Sequence, residues 1–349
     1  MFAKKNLVAA AALLALAGAA QAQVKLYGMV DMSVGSFENA HAKGADSRTT
    51  EVASGKMMTS YIGLSGSEDL GGGLKAEFAL ESFLAGDTGE AGGSMANKAG
   101  GFWSRGSFLA LSGGFGKVAI GQYDNPLFTS GYTYNPFGSS MAFSPTMRHY
   151  YGVAGNVLAL GVDTGFINSV TYETPNMGGF MGTVQFAPKE SSADGAENSY
   201  AVAGSYNAGP FSAALTYTKG GMTDANTSYL ADQKIWALGS SYDFGVVKAF
   251  AQYTDVQTDA VIGLGDVDSD IKIWQLGVSV PLSDKASVMA SYGKFKEKSD
   301  GLSYSDKVFS LGYNYMLSKR TDVYGVFTNN QTTSLESGQT FAVGIRHNF

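Results

Sequence analysis

Hydrophobic and polar residues alternate along much of this chain. In 309–317 the apolar positions are Phe309, Leu311, Tyr313, Tyr315 and Leu317, separated by Ser310, Gly312 and Asn314. Phe211, Ala213, Leu215 and Tyr217 alternate with Ser212, Ala214, Thr216 and Thr218, and Trp236, Leu238, Tyr242 and Phe244 alternate with Ala237, Gly239, Ser241 and Asp243. A period of two belongs to a β-strand with unlike faces. One face here is large and apolar and the other small and polar, which suits a strand with lipid on one side and water on the other.

The connections sort by length. Seven are short and turn-like: 65–74, 111–118, 173–180, 206–212, 242–248, 281–287 and 317–322. Between them lie eight longer polar stretches rich in Gly, Asp, Ser and Asn: 36–56, 86–102, 124–166, 188–198, 219–234, 256–270, 296–306 and 329–338. Fifteen connections join sixteen strands, with short turns at one end and long loops at the other. An even strand count with that asymmetry marks a transmembrane barrel, whereas a soluble sandwich has no reason to sort its loops by parity. The predicted fold is all-β, a 16-stranded antiparallel transmembrane β-barrel. Phe341, Val343, Ile345, His347 and Phe349 share one face of the last strand, which is expected to close on 24–37 so that no edge is left in lipid. Phe341, Val343, Ile345 and Phe349 are therefore the candidate residues for closure and assembly.

The first 22 residues read as a signal peptide and the rest, 23–349, as one barrel domain. Lys4 and Lys5 form a basic start, 7–20 is an apolar stretch without charge, and Ala20-Gln21-Ala22 supplies the small-x-small cleavage pattern. The apolar run is about 14 residues, short of the roughly 20 that a spanning helix needs. Later apolar runs are all broken by charges or glycine. With 46 Gly, 21 Phe and 19 Tyr against 7 Pro, the composition favours strands and tight turns over disorder. The absence of Cys excludes disulfides and a thiol nucleophile. The net charge is −6, and becomes −8 once Lys4 and Lys5 are removed, which argues against nucleic acid as a partner.

Six segments, in order along the chain, resemble the general trimeric porins of β-proteobacteria, members of the Gram-negative porin family. They are Val24-Lys25-Leu26-Tyr27-Gly28-Met29-Val30-Asp31, Gly66-Ser67-Glu68-Asp69-Leu70-Gly71-Gly72-Gly73-Leu74-Lys75-Ala76, Leu111-Ser112-Gly113-Gly114-Phe115-Gly116, Asn168-Ser169-Val170-Thr171-Tyr172, Leu317-Ser318-Lys319-Arg320-Thr321 and Gly344-Ile345-Arg346-His347-Asn348-Phe349. The resemblance implies an outer-membrane channel for passive diffusion of small hydrophilic solutes and ions. It also implies a homotrimer among outer-membrane lipid and lipopolysaccharide, with the third loop, 124–166, folded into the barrel. Phe128, Tyr132, Tyr134, Phe137, Met141 and Phe143 suit that loop for packing inside.

A wide pore selects by the charges at its narrowest point. The resemblance implies basic residues on the wall facing acidic groups on the loop, and this sequence departs from that pattern. Tyr61 and Ile167 stand where two family arginines are expected, and alternation places both toward the lumen; Arg105 keeps the third position. Lys75, Glu77 and Glu81 alternate toward the lumen, and Asp124 and Arg148 are the loop's main charges. The candidate pore-lining set is Tyr61, Lys75, Glu77, Arg105, Asp124, Tyr132, Tyr134, Phe137, Arg148 and Ile167. Such a constriction is poor in positive charge and rich in aromatics. It points to weak anion preference or mild cation preference, with stacking on sugars an option and simple loop packing the plainer role for the aromatics.

Chemistry of other kinds is missing. His41, His149 and His347 are far apart, and no nucleophile elbow, dinucleotide fingerprint or zinc spacing occurs. Asp266, Asp268 and Asp270 resemble the start of a calcium loop, but Ile271 occupies the position of the turn glycine, so a solvated acidic loop is the simpler reading. No catalytic residue, metal or cofactor is expected. A surface adhesin or scaffold is the competing role, although small adhesin barrels have about 8 strands and a filled interior.

Overall fold

The computed structural model describes residues 24–349 except 46, 93–100, 153–159, 191, 193–196, 221–230, 262–268 and 300. The signal-peptide reading of 1–22 therefore lies outside the described residues, as do Asp266 and Asp268. Eighteen strand segments follow one another: β1 (Lys25–Phe37), β2 (Thr49–Ser54), β3 (Tyr61–Gly71), β4 (Leu74–Ala85), β5 (Glu90–Ala91), β6 (Gly106–Gly113), β7 (Gly116–Asp124), β8 (Gly165–Glu173), β9 (Phe180–Ala187), β10 (Ser199–Ala208), β11 (Phe211–Gly220), β12 (Ala231–Asp243), β13 (Lys248–Val261), β14 (Ser269–Pro281), β15 (Ala286–Ser299), β16 (Leu302–Met316), β17 (Thr321–Thr332) and β18 (Gly338–Asn348). Segments β2 and β3 both pair with β1 and share one position in the wall, while the two-residue β5 pairs with β4 alone. The barrel thus has sixteen antiparallel positions, as the loop sorting predicts.

Closure is made by β1 and β18, in register from Met29↔Asn348 to Ser36↔Phe341. Phe341, Val343, Ile345 and Phe349 lie on the outward face of that seam, 57, 44, 46 and 39 % exposed in the isolated chain. Outward aromatics gather at two heights. Tyr217 with Trp236 and Trp274 with Tyr292 mark the upper level, with ring centroids 4.6 and 5.5 Å apart. Phe180 with Tyr206 and Tyr242 with Phe244 mark the lower, at 4.4 and 4.5 Å. On β12 and the residue that follows it the outward apolar positions run from Trp236 to Phe244. Eight steps at 3.4 Å are about 27 Å along a strand and about 20 Å once tilted, most of the roughly 25 Å height of a barrel's apolar band.

Two features differ from the sequence expectation. Several stretches expected as loops are strand: within 296–306 the ladder runs to Ser299 and resumes at Leu302, and within 329–338 it continues to Thr332. These strands rise past the apolar band into water, where both faces turn polar and composition no longer distinguishes strand from loop. The inward face is also not polar throughout. Ile235, Val256, Ile271, Ile273 and Phe295 face inward and are almost fully buried, because the third loop covers them.

That loop contains two short helices, α1 (Pro126–Thr133) and α2 (Pro145–Tyr151). Each starts with a capping side chain followed by proline. Asn125 Oδ1 accepts from Leu127 N at 2.9 Å, and Ser144 Oγ accepts from Met147 N at 3.4 Å. Gly152, in the left-handed region at φ 60°, ends α2.

The chain's last residue supports the seam directly. Phe349 N donates to Gly28 O at 3.1 Å and Gly28 N donates to Phe349 O at 3.3 Å, with the Phe349 ring lying over Gly28 so that a Cβ there would sit 2.6 Å from Cζ. Deleting Phe349 is expected to lower the yield of folded barrel several-fold, read as the heat-modifiable band on a gel. Wild-type yield from the deletion would refute this role.

Candidate functional site

The third loop is seated against one half of the wall. Glycines on β12, β14, β15 and β16 make room for it. A Cβ at Gly277 would lie 2.6 Å from Pro136, at Gly293 2.6 Å from Pro145 and at Gly312 2.8 Å from Phe137, while the Tyr134 ring covers Gly239. Inward polar residues then bond to the loop. Gln252 Nε2 donates to Gly131 O at 2.9 Å, Ser310 Oγ to Phe143 O at 2.6 Å, and Thr146 N to Gln275 Oε1 at 2.6 Å. Tyr134 and Ser212 share a hydroxyl hydrogen bond at 2.9 Å, Tyr150 and Thr254 one at 2.5 Å.

A second anchor comes from the break between β2 and β3. Buried Asp31 accepts from Met57 N at 2.7 Å, Met58 N at 2.9 Å and the Tyr324 hydroxyl at 2.7 Å, which draws 55–60 inward. Ser140 Oγ donates to Lys56 O at 2.7 Å, and Met57 packs with Phe137, Phe143 and Tyr324.

A third is polar and buried. His149 Nε2 lies 2.9 Å from Asp306 Oδ2, and Asp306 Oδ1 accepts from Asn330 Nδ2 at 2.7 Å and from Thr332 Oγ1. Beside it, Arg148 Nη2 donates to Asn39 Oδ1 at 2.8 Å and Nη1 to Ala142 O at 3.2 Å. Burial pushes the Arg148 pKa down to about 10, which leaves it charged at neutral pH. Burial also lowers the His149 pKa. Its Nδ1 has no partner, so a protonated ring would add an unsatisfied donor. His149 is therefore neutral, donating from Nε2 to the carboxylate.

With the loop held there, a cavity of about 500 Å³ remains between it and the opposite wall. Tyr61, Arg105, Asp124, Tyr132 and Tyr134 line it, together with Glu81, Tyr123 and Glu173. Arg105 pairs with Glu81, and its guanidinium lies 3.9 Å from the centre of the Tyr61 ring. Glu81 Oε1 also accepts from Tyr27 Oη at 2.6 Å. Glu173 Oε1 accepts from Tyr123 Oη at 3.2 Å, and Asp124 is exposed to the cavity. Three carboxylates therefore face one guanidinium. Burial holds the hydroxyls of Tyr132 and Tyr134 above their ordinary pKa, so both are neutral.

The other expected lining residues lie elsewhere. Glu77 pairs with Lys117 at 3.3 Å, nearer the short-turn end, and Lys75 is exposed beyond it. Phe137 and Arg148 are 3 and 4 % exposed, so they face protein far more than water. Ile167 does not line the cavity. Asn168 adopts φ 53° and the β7–β8 register shifts, so Phe166 takes the inward, fully buried place that alternation gives to Ile167. Sequence reasoning named Glu81 but left it out of the lining set, and missed Glu173 and Tyr123, although strand parity from Thr171 places Glu173 inward.

The comparisons agree with this architecture. The family described as Gram-negative porin matches residues 9–335. Outer membrane porin protein 32 of Delftia acidovorans is 35 % identical, over 98 % of this chain and 95 % of its own. The major outer membrane protein P.IB of Neisseria lactamica is 28 % identical, over 99 % and 100 %. The solved anion-selective porin from Comamonas acidovorans superposes with a TM-score of 0.77 at 28 % identity, covering 94 % of this chain and 100 % of that one.

Acidification should loosen the loop's polar anchor. Unfolded His149 takes up a proton near pH 6.5, the folded residue at lower pH, so the unfolded state binds more protons between those values. Stability is thus lost as pH falls below about 6.5. The thermal midpoint is expected to drop more between pH 7 and pH 5 in wild type than in His149→Gln; equal drops would refute it. Asp306→Ala leaves several buried donors unpaired and is expected to cost about 2–3 kcal/mol.

Proposed function

The chain belongs to the Gram-negative porin family, and we propose that it works as a homotrimeric diffusion channel whose narrowest part favours small cations and neutral solutes over anions. Its relatives are outer-membrane porins, and a water-filled outer-membrane barrel passes small hydrophilic solutes and ions down their gradients. The selectivity reading rests on one observation: the cavity beside the third loop holds the carboxylates of Glu81, Asp124 and Glu173 against the single guanidinium of Arg105.

The similar Comamonas porin is anion-selective. This chain has Tyr61 and Ile167 where the family pattern leads one to expect arginine, and the guanidinium it keeps is paired and stacked. A field of uncompensated carboxylates at a constriction draws cations and repels anions. The exposed faces of Tyr61 and Tyr132 add apolar surface against which a sugar ring can lie. The homotrimer follows the family, as does an environment of outer-membrane lipid and lipopolysaccharide.

The test is reversal potential in a planar bilayer under a KCl gradient, with refolded mature protein. Wild type is expected to prefer K⁺ to Cl⁻ by about two- to fivefold. Asp124→Asn with Glu173→Gln should bring that ratio toward one, and Tyr61→Arg should move it toward chloride. Strong anion selectivity in wild type, or an unchanged ratio in Tyr61→Arg, would overturn the selectivity reading.

A further inference from the structure

The outward face of β14–β16 carries lysines just above the upper aromatic level. Lys294 follows Tyr292 on that face and pairs in register with Trp274, and Lys307 precedes Phe309 in the same way. Lys296 and Lys298 continue the stripe toward the loop end, while Phe295 and Glu297 between them turn to the other face. Glu297 accepts from Ser269 Oγ at 2.9 Å there.

The register makes this stripe unusual. Lys294 stands directly opposite Lys307 and Lys296 directly opposite Lys272, while Lys298 stands opposite Asp270, a carboxylate that lies 3.7 Å from Lys272. Like charges opposite one another on a sheet face repel. Neighbouring outward lysines are compensated: Lys234 lies 2.5 Å from Asp259, and Lys272 lies 3.9 and 3.7 Å from Asp255 and Asp270. No described carboxylate comes within 4.0 Å of Lys294, Lys296, Lys298 or Lys307.

We propose that Lys294, Lys296, Lys298 and Lys307 bind the phosphate groups of a lipid in the outer leaflet. Long loops mark this barrel end as the cell exterior, and the upper aromatics mark where hydrocarbon gives way to headgroups. The four ammonium groups stand on the side that meets lipid, within reach of the headgroup layer because lysine stems extend along apolar surface toward water. Ammonium and phosphate form charge-assisted hydrogen bonds, and the anion offsets the repulsion across β14, β15 and β16. The counter-charge that the facing strands do not supply to Lys294, Lys296 and Lys307 comes from the membrane, and Lys298 extends the site toward the loop end.

The probes are bisphosphorylated lipid A and its dephosphorylated form, titrated into refolded mature protein in zwitterionic detergent and followed by tryptophan fluorescence, Trp274 lying beside Lys294. Each lysine near an anionic surface is worth roughly fivefold, so four together amount to several hundredfold. The variant with Lys294→Gln, Lys296→Gln, Lys298→Gln and Lys307→Gln is expected to bind the bisphosphorylated lipid at least 50-fold more weakly while conducting as wild type does. Wild type should prefer that lipid to the dephosphorylated form by a similar factor. The double variant Lys296→Gln, Lys298→Gln, with less of the outer strand altered, should lose roughly 25-fold. Lys234→Gln, which removes a compensated lysine, should stay within twofold. Unchanged affinity in a conducting variant, equal affinity for the dephosphorylated lipid, or displacement by inorganic phosphate at the lipid's own concentration would overturn the assignment. Because conductance is read separately, loss of the channel and loss of lipid binding are distinguishable.

Discussion

A peptide group in hydrocarbon has no water to bond, and the rest of this molecule follows from that constraint. Each N–H and C=O within the apolar band must find its partner on a neighbouring strand, so the sheet has to close. Closure by β1 and β18 supplies the last ladder, and Phe349 completes it at the short-turn end through its main chain and its ring over Gly28. Antiparallel closure in turn requires that strands alternate in direction, which sorts the connections into two classes. The residue alternation and the sorted loops are two expressions of one physical need.

Sixteen strands enclose more space than wall side chains can fill, and the third loop occupies it asymmetrically. Glycines on four wall strands let its chain approach closely, Asp31 holds the inward segment that receives Ser140, and Asp306 receives His149. The interior is thereby divided. One side is a packed core of Leu127, Met147, Tyr150, Ile273 and Phe295; the other is a wet cavity against β3, β4 and β6–β11. Changes on the first side act on stability and those on the second on passage, so the two kinds of effect are separable by mutation.

Strand identity and facing were legible because alternation is local and repeated many times. Strand ends were less so: above the apolar band Lys294, Lys296 and Lys298 still alternate with Phe295 and Glu297, but composition there resembles a loop. Asn125-Pro126 and Ser144-Pro145 carried the signals for α1 and α2 within a stretch that otherwise reads as irregular. The lining residues were legible in part. Parity gives the face of Tyr61 and Arg105, whereas nothing local says that Phe137 and Arg148 meet protein in place of water, since their partners Met57, Tyr324 and Asn39 lie far away in the chain. Ile167 shows the other limit, because one left-handed residue, Asn168, shifts the parity of everything before it.

Selectivity in such a pore depends on which charges remain uncompensated where solutes pass, more than on how many charges the chain carries. Arg148 is a full positive charge at neutral pH, but it is covered by protein, held by Asn39 and Ala142 and offset by the nearby carboxylate of Asp306, so a passing ion meets it only at a distance. Arg105 reaches the cavity, yet Glu81 neutralises it at contact distance and Tyr61 covers a face of its guanidinium. Lys117 is similarly matched by Glu77. Once these pairs are set aside, Asp124 and Glu173 are left, and Tyr123 donates to Glu173 without changing its charge. The same logic applies on the outside of the barrel, where Lys234 and Lys272 have carboxylates and Lys294, Lys296 and Lys307 face none across the ladder. In both places an unmatched charge on the protein points to the opposite charge in the surroundings, a solute ion inside and a lipid headgroup outside.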